Sequence, residues 1–189
     1  MSKSSSNNTV RIIAGKWRHR RLSFPDAQSL KPTQDRMKET LFNWLMPHIQ
    51  GANCLDCFAG SGSLGFEALS RGANHVTFID ANKAAIQSIK HNADILLTDA
   101  LSLHHLRMPT QNRVFKHKPF DIVFLDPPFF QNLISPSLFW IAETGVLKKN
   151  GLIYFEMEID ALDSLKVHQL VFIKKKCTKN IAFGLIHLV

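Results

Sequence analysis

The sequence predicts an α/β protein, a mostly parallel, doubly wound sheet preceded by a small N-terminal β-hairpin and helix extension. Three observations predict it. From Cys54 onward, short apolar runs alternate with amphipathic stretches, the pattern of successive βαβ units. One of those runs feeds a glycine-rich loop that opens a helix. Residues 1–50 hold nine Lys or Arg against three acids, +6 of the chain's formal +8, so a basic segment precedes a near-neutral body. The division expected is a disordered tail over 1–9, the basic extension over 10–50 and the α/β domain over 51–189.

The tail is polar and has no hydrophobic region behind Lys3, so it does not read as a signal peptide. Val10–Ile13 and Arg21–Phe24 flank Ala14-Gly15-Lys16-Trp17-Arg18-His19-Arg20, a hairpin with a basic tip. Pro25 and Pro32 bracket a loop, and Thr33 stands where an N-cap is needed, with Asp35 in the first turn. Met37, Leu41, Trp44 and Leu45 keep helical spacing until Pro47 stops the helix. The strands expected next are Cys54–Phe58, Val76–Asp80, Asp94–Leu97, Phe120–Leu125 and Leu152–Glu156. Helices over about 64–71 and 83–91 separate the first three, and Gly72 ends the first helix. Val167–Lys174 and Asn180–Val189, joined by a lysine-rich turn, predict a closing antiparallel hairpin.

Several classes are excluded at once. No apolar run reaches membrane-spanning length, and the composition, 45% hydrophobic and 20% charged, is ordinary for a soluble globular protein, so a cytoplasmic location is expected. Cys54 and Cys57 form a CxxC, but Cys177 alone cannot complete a four-ligand zinc site, so no metal is expected and the thiols read as buried. A monomer is the default, for lack of an obvious sticky surface.

Leu55-Asp56-Cys57-Phe58-Ala59-Gly60-Ser61-Gly62-Ser63-Leu64-Gly65 is the loop that opens a helix. Gly60, Gly62 and Gly65 match GxGxxG, and Asp80 follows at the spacing of a ribose-binding acid, so a dinucleotide enzyme must be considered. Asp56, just before the loop, argues otherwise, because a pyrophosphate would not want that charge. S-adenosylmethionine fits better. It carries a cationic amine for Asp56 and a ribose for Asp80, while Asp99 is placed to bind the adenine amino group between walls such as Phe58 and Ala81. Asp56, Asp80, Asp99 and Asp126 are all expected beyond the carboxyl ends of strands, where ligands of such sheets bind.

Asp126-Pro127-Pro128-Phe129 closes an apolar strand, and two prolines force a sharp turn there. The Asp126 carboxylate and the Pro127 carbonyl can accept both protons of an exocyclic NH2, while Phe129 stacks on the base that carries it. A dehydrogenase has no evident use for these groups. Arg11, Lys16, Arg18, Arg20, Arg21, Lys31 and Arg36 are candidate phosphate contacts, and Trp17 reads as the anchor of the hairpin in the core. Adjacent His104 and His105 read as surface residues, and Arg107–Lys118 as a solvated connection.

With these residues in view, the chain resembles the RsmD-type bacterial 16S rRNA guanine-N2 methyltransferases. The resemblance rests on Arg11-Ile12-Ile13-Ala14-Gly15-Lys16-Trp17-Arg18, on residues 31–45 from Lys31-Pro32-Thr33 to Asn43-Trp44-Leu45, and on the two motifs above. Lys31 stands where that family usually has Arg. The resemblance implies a seven-stranded, Rossmann-like S-adenosylmethionine-dependent sheet. The implied substrate is a guanine in the helix 31 loop of 16S rRNA within the 30S ribosomal particle. The residues by themselves leave open an N6-adenine methyltransferase, since Asp-Pro-Pro-Phe suits either amine, and a ribosome-assembly factor that keeps the fold without turnover.

Overall fold

The described residues of the computed structural model are 8–24, 35–110, 119–167 and 169–189. Lys31, the Thr33 cap, the prolines at 25 and 32, most of the 1–9 tail and positions 111–118 lie outside them.

β1 (Asn8–Arg11) and β2 (Arg21–Phe24) pair antiparallel, with Val10 opposite Leu22 and Arg11 opposite Arg21. Asn8 and Thr9 are therefore strand, and the expected tail boundary at residue 9 is two residues too late. α1 (Asp35–Leu45) buries Met37, Leu41, Phe42 and Leu45 at helical spacing. There follow β3 (Asn53–Asp56), α2 (Ser63–Ser70), β4 (His75–Asp80), α3 (Lys83–Ile95), β5 (Leu101–His105) and β6 (Phe120–Leu125). α4 (Ile134–Thr144), β7 (Leu147–Glu158), a 3-10 helix (Ile159–Val167), β8 (Leu170–Cys177) and β9 (Ile181–Leu188) complete the chain.

β3 to β9 form one seven-stranded sheet in the order β5-β4-β3-β6-β7-β9-β8. The first five are mutually parallel, and β9 runs antiparallel between β7 and β8. The winding reverses at β3, which has β4 on one side and β6 on the other, so the crevice of a doubly wound sheet falls there.

The expected strand Asp94–Leu97 is wrong. Ala85, Ile89, Ala93 and Leu96 keep helical spacing and are all buried, which carries α3 on to Ile95. Asn92, one turn before that end, is held by Ser23 of the hairpin through the Ser23 N–H at 3.2 Å and the Ser23 carbonyl at 2.8 Å. The third parallel strand is instead Leu101–His105, which places His104 and His105 on a strand beside Ile79 and Asp80. α4 and the 3-10 helix were not foreseen; α4 has an unbroken apolar stretch, Leu138-Phe139-Trp140-Ile141, that carries no periodic signal.

The sheet has a core on each face. The hairpin, α1, α2 and α3 cover one with Val10, Ile12, Leu22, Phe24, Phe42, Phe66 and Ile89; α4 and the 3-10 helix cover the other with Leu138, Ile141 and Leu165. The extension thus shares a core with the α/β body. No helix among the described residues is long and apolar enough to cross a membrane.

Candidate active site and nucleic-acid interface

A cavity of about 950 Å³ opens at the carboxyl ends of β3, β4, β5 and β6. Its floor is the loop after β3. Gly60 and Gly62 adopt φ of 52° and 76°, a left-handed conformation that side-chain-bearing residues rarely take. A Cβ on Gly62 would lie 2.8 Å from the Phe66 ring, and one on Gly65 would lie 2.1 Å from Phe78, so the loop and α2 pack against their neighbours only as glycines. The Asp80 carboxylate is fixed by the Gly60 N–H on one oxygen and the Asn82 N–H on the other, both at 2.7 Å. That orients the acid at the end of β4 toward the cavity it lines.

Asp56 is buried and accepts the Gly65 N–H at 3.2 Å. Burial, then the charges of Asp126 and Asp80, push it up to about 8, against the pull of the Gly65 and Phe58 amides. A carboxylate that has lost its water and faces two other acids is a site for a cation. Phosphate would meet like charge from Asp80 and Asp126, and would gain nothing from a buried Asp56 that ionises only beside a cation.

The sequence reading missed Glu156. The β6–β7 register pairs Phe124 with Tyr154 and Leu125 with Phe155, which brings Glu156 beside Asp126. Glu156 lines the cavity, accepts the Tyr154 hydroxyl at 3.0 Å, and is pushed up to about 8 by burial first and Asp126 second. Its signal was present, an acid at the end of an apolar strand, the same cue that marked Asp56, Asp80 and Asp126.

Asp99 requires correction. It precedes β5, and its carbonyl accepts the Leu101 N–H, so it lies at the amino end of the strand, away from the rim. The rim of β5 carries His105, Arg107 and Met108 into the cavity instead, with His105 Nε2 3.0 Å from the Ala81 carbonyl. Phe58, Gly60 and Ala81 line the cavity, as does the otherwise buried Cys57.

After β6, Pro127 is buried and Phe129 half-buried, while Phe130 is 87% exposed. The two rings sit 6.3 Å apart at 71°. Phe130 holds φ at 62° with its N–H donated to the Glu158 carboxylate, a conformation costly for an aromatic residue. Its exposure could not be read from the sequence.

The hairpin is clamped in place. Glu67 of α2, fully buried, accepts the Ile13 N–H at 2.7 Å, the Ala14 N–H at 3.0 Å and Arg71 Nε at 2.6 Å. Lys38 of α1, also buried, donates to the Arg11 carbonyl at 2.6 Å and to Ser63 Oγ at 3.0 Å, and lies 3.8 Å from Glu67. Burial pushes its ammonium down while Glu67 pulls it back. Ser70 receives the Lys16 N–H on its carbonyl and the Trp17 N–H on its hydroxyl. Gly15, φ 83°, passes so close that a Cβ would meet the Ser70 carbonyl. Trp17 packs half-buried against the core, as its anchor role requires.

Lys16, Arg18, Arg20, Arg21 and Arg36 are exposed. Arg11, also exposed, pairs with Asp35 at 3.0 Å. Phe24 of β2 and Met37 of α1 line the cavity, so the basic extension forms part of its wall.

Comparison with known proteins gives a consistent picture. Residues 10–186 match the family described as Conserved hypothetical protein 95. The chain is 48% identical over 164 residues to ribosomal RNA small subunit methyltransferase D of Haemophilus influenzae, covering 82% of each chain. The protein of that name from Escherichia coli K12 is 44% identical over 157 residues, covering 82% of this chain and 78% of its own. Among solved structures, a chain from Escherichia coli assigned as a methyltransferase (yhhF) superposes with a TM-score of 0.84 at 37% identity, covering 96% of this chain and 98% of that one.

Proposed function

The chain belongs to the family described as Conserved hypothetical protein 95 and is an S-adenosylmethionine-dependent methyltransferase of small-subunit ribosomal RNA, and we propose that its acceptor is the exocyclic N2 of a guanine in the helix 31 loop of 16S rRNA, taken from the 30S particle in the cytoplasm. The observation that carries the amine assignment is Asp126-Pro127-Pro128-Phe129 at the rim of an acid-lined cavity. Guanine and helix 31 follow from the family resemblance.

The residues fit the cofactor. In this reading Asp56 meets its ammonium group, Asp80 accepts from the ribose hydroxyls, Gly60 and Gly62 let the backbone approach, and Phe58, Ala81 and Met108 wall the adenine. Asp99 has no part in it. Bound there, S-adenosylmethionine supplies a methyl group on a cationic sulfur.

The chain's own work is positioning and electrostatics. Asp126 and the Pro127 carbonyl accept the two protons of the amine, which favours a tetrahedral nitrogen with its lone pair free. Phe129 stacks on the base, and Phe130 offers a second ring at the mouth. Glu156, neutral near pH 7, leaves the Asp126–Glu156 pair with a single negative charge, which balances the positive charge developing on the nitrogen. Asp126 then takes the proton released. Residues 10–50 hold RNA through Arg11, Lys16, Arg18, Arg20, Arg21, Lys31 and Arg36, and a loop base, already unstacked, needs no extrusion from a duplex.

The test is transfer of labelled methyl to unmodified 30S particles, naked 16S rRNA and duplex DNA, with digestion to nucleosides. N2-methylguanosine from the 30S particle is expected. N6-methyladenine would overturn the acceptor, and a failure of Asp126→Ala to abolish transfer while cofactor binding persists would overturn the role of that residue.

A further inference from the structure

β8 is the outer strand of the sheet, and Val171–Asn180 are exposed throughout. Residues 170–189 contain Lys174, Lys175, Lys176 and Lys179 and no acid. None of the four makes an ion pair with a carboxylate among the described residues.

Their direction is set by register. The β8–β9 pairing skips Ile173, so Lys174 lies opposite Leu185 and Lys176 opposite Phe183. Leu185 and Phe183 belong to the core beneath the N-terminal extension, so these two lysines project on the extension's side of the sheet. Trp44 of α1 stacks on Phe183 at 5.7 Å, and Lys176 Nζ lies 6.0 Å from the Trp44 ring. Lys175 points to the other face, over Phe172 at 5.1 Å. The turn that carries Lys179 leads directly into Ile181, which lines the cavity.

We propose that the lysine-bearing edge of β8, through Lys174, Lys176 and Lys179, is a second contact for the RNA backbone, so that substrate is gripped from both flanks of the cavity, by the hairpin on one side and β8 on the other. This rests on the ribosomal RNA reading. Phosphate is the occupant that the charge selects, because the unneutralised ammonium groups of Lys174, Lys176 and Lys179 beside half-buried Trp44 match a polyanion with stackable bases. Arg36, exposed on α1, lies on the element that links the two flanks.

The experiment compares wild type with the triple variant Lys174→Glu, Lys176→Glu, Lys179→Glu. The control is Lys149→Glu, an exposed lysine near the opposite end of β7. Binding to a 16S rRNA transcript and methyl transfer to 30S particles are followed between 50 and 200 mM salt, with cofactor affinity as the check on folding. The triple variant is expected to raise KM for RNA about tenfold or more, with kcat at saturation nearly unchanged, and to reduce the salt slope by about 2. The control is expected to behave as wild type. In wild type, bound transcript should protect these three lysines from acetylation and leave Lys149 reactive, a readout that needs no variant.

Wild-type affinity and slope in the triple variant would overturn the proposal. A loss confined to 30S particles, with transcript binding intact, would also overturn it and assign the strand to a ribosomal protein. A wild type that binds transcript through these lysines but transfers no methyl would sink the functional reading and leave the RNA contact standing.

Discussion

Glu67→Gln asks how firmly the hairpin is held. The substitution keeps the shape of the side chain and removes its charge. The Gln carbonyl can accept only one face of the present arrangement, so either the Ile13 or the Ala14 N–H meets an NH2 group. An orphaned buried N–H costs about 1–3 kcal/mol. Lys38, 1% exposed, loses its counter-ion, which costs about 3–5 kcal/mol where no relaxation is possible. Arg71 is partly exposed and can turn to water, so it adds little. Together these give roughly 4–8 kcal/mol, and the lower end is expected because undocking the hairpin relieves part of the conflict. Urea unfolding at pH 7 measures the loss, and hydrogen exchange at the Ile13 and Ala14 amides should quicken. Without Glu67, burial drives the Lys38 ammonium further below the ordinary lysine value. The unfolded chain then holds a proton that the folded variant gives up, so the variant should regain stability as pH rises toward 10.5. A loss below about 1 kcal/mol with slow exchange at both amides would refute the clamp.

Two further outcomes follow from the acids. Asp56 at about 8 must ionise to hold an ammonium group, so cofactor affinity should rise about tenfold per pH unit between 6 and 8, with proton release on binding in calorimetry; a dissociation constant flat over that range would remove Asp56 from the site. Glu156 is raised from 4.5 to about 8, so the folded chain holds a proton that the unfolded chain has lost across that window. Stability should therefore fall as pH rises through it, and Glu156→Gln should flatten part of that fall and abolish a step near pH 8 in kcat. An unaltered pH profile in the variant would show that Glu156 does not titrate in the site.

The sheet was legible because its cues are local. Phe120–Leu125 is predicted to the residue, and the glycine loop, Asp80 and the Asp-Pro-Pro-Phe turn stand where their spacing put them. What failed was register. Ile95, Leu96 and Leu97 have strand composition, but a helix that buries Ala85, Ile89, Ala93 and Leu96 outcompetes it, and with that Asp99 moves to the wrong end of β5. Lys38 and Glu67 carry no signal in the sequence, because only the fold brings them together under the hairpin. Glu156 needed the alignment of β7 on β6 before it met Asp126.

The free edge of β8 has a consequence for the life of the protein outside any complex. Val171, Phe172 and Ile173 are between 40% and 49% exposed on a strand whose outer hydrogen-bonding groups face solvent, which is a template for adding another chain. Lys174, Lys175 and Lys176 interrupt that template, and the bulge at Ile173 bends it. Neutralising these lysines therefore invites sheet-to-sheet aggregation at high concentration, whereas reversing their charge does not. Lys174 and Lys176, proposed to contact RNA, are thus among the same ammonium groups that keep the edge from pairing with another sheet.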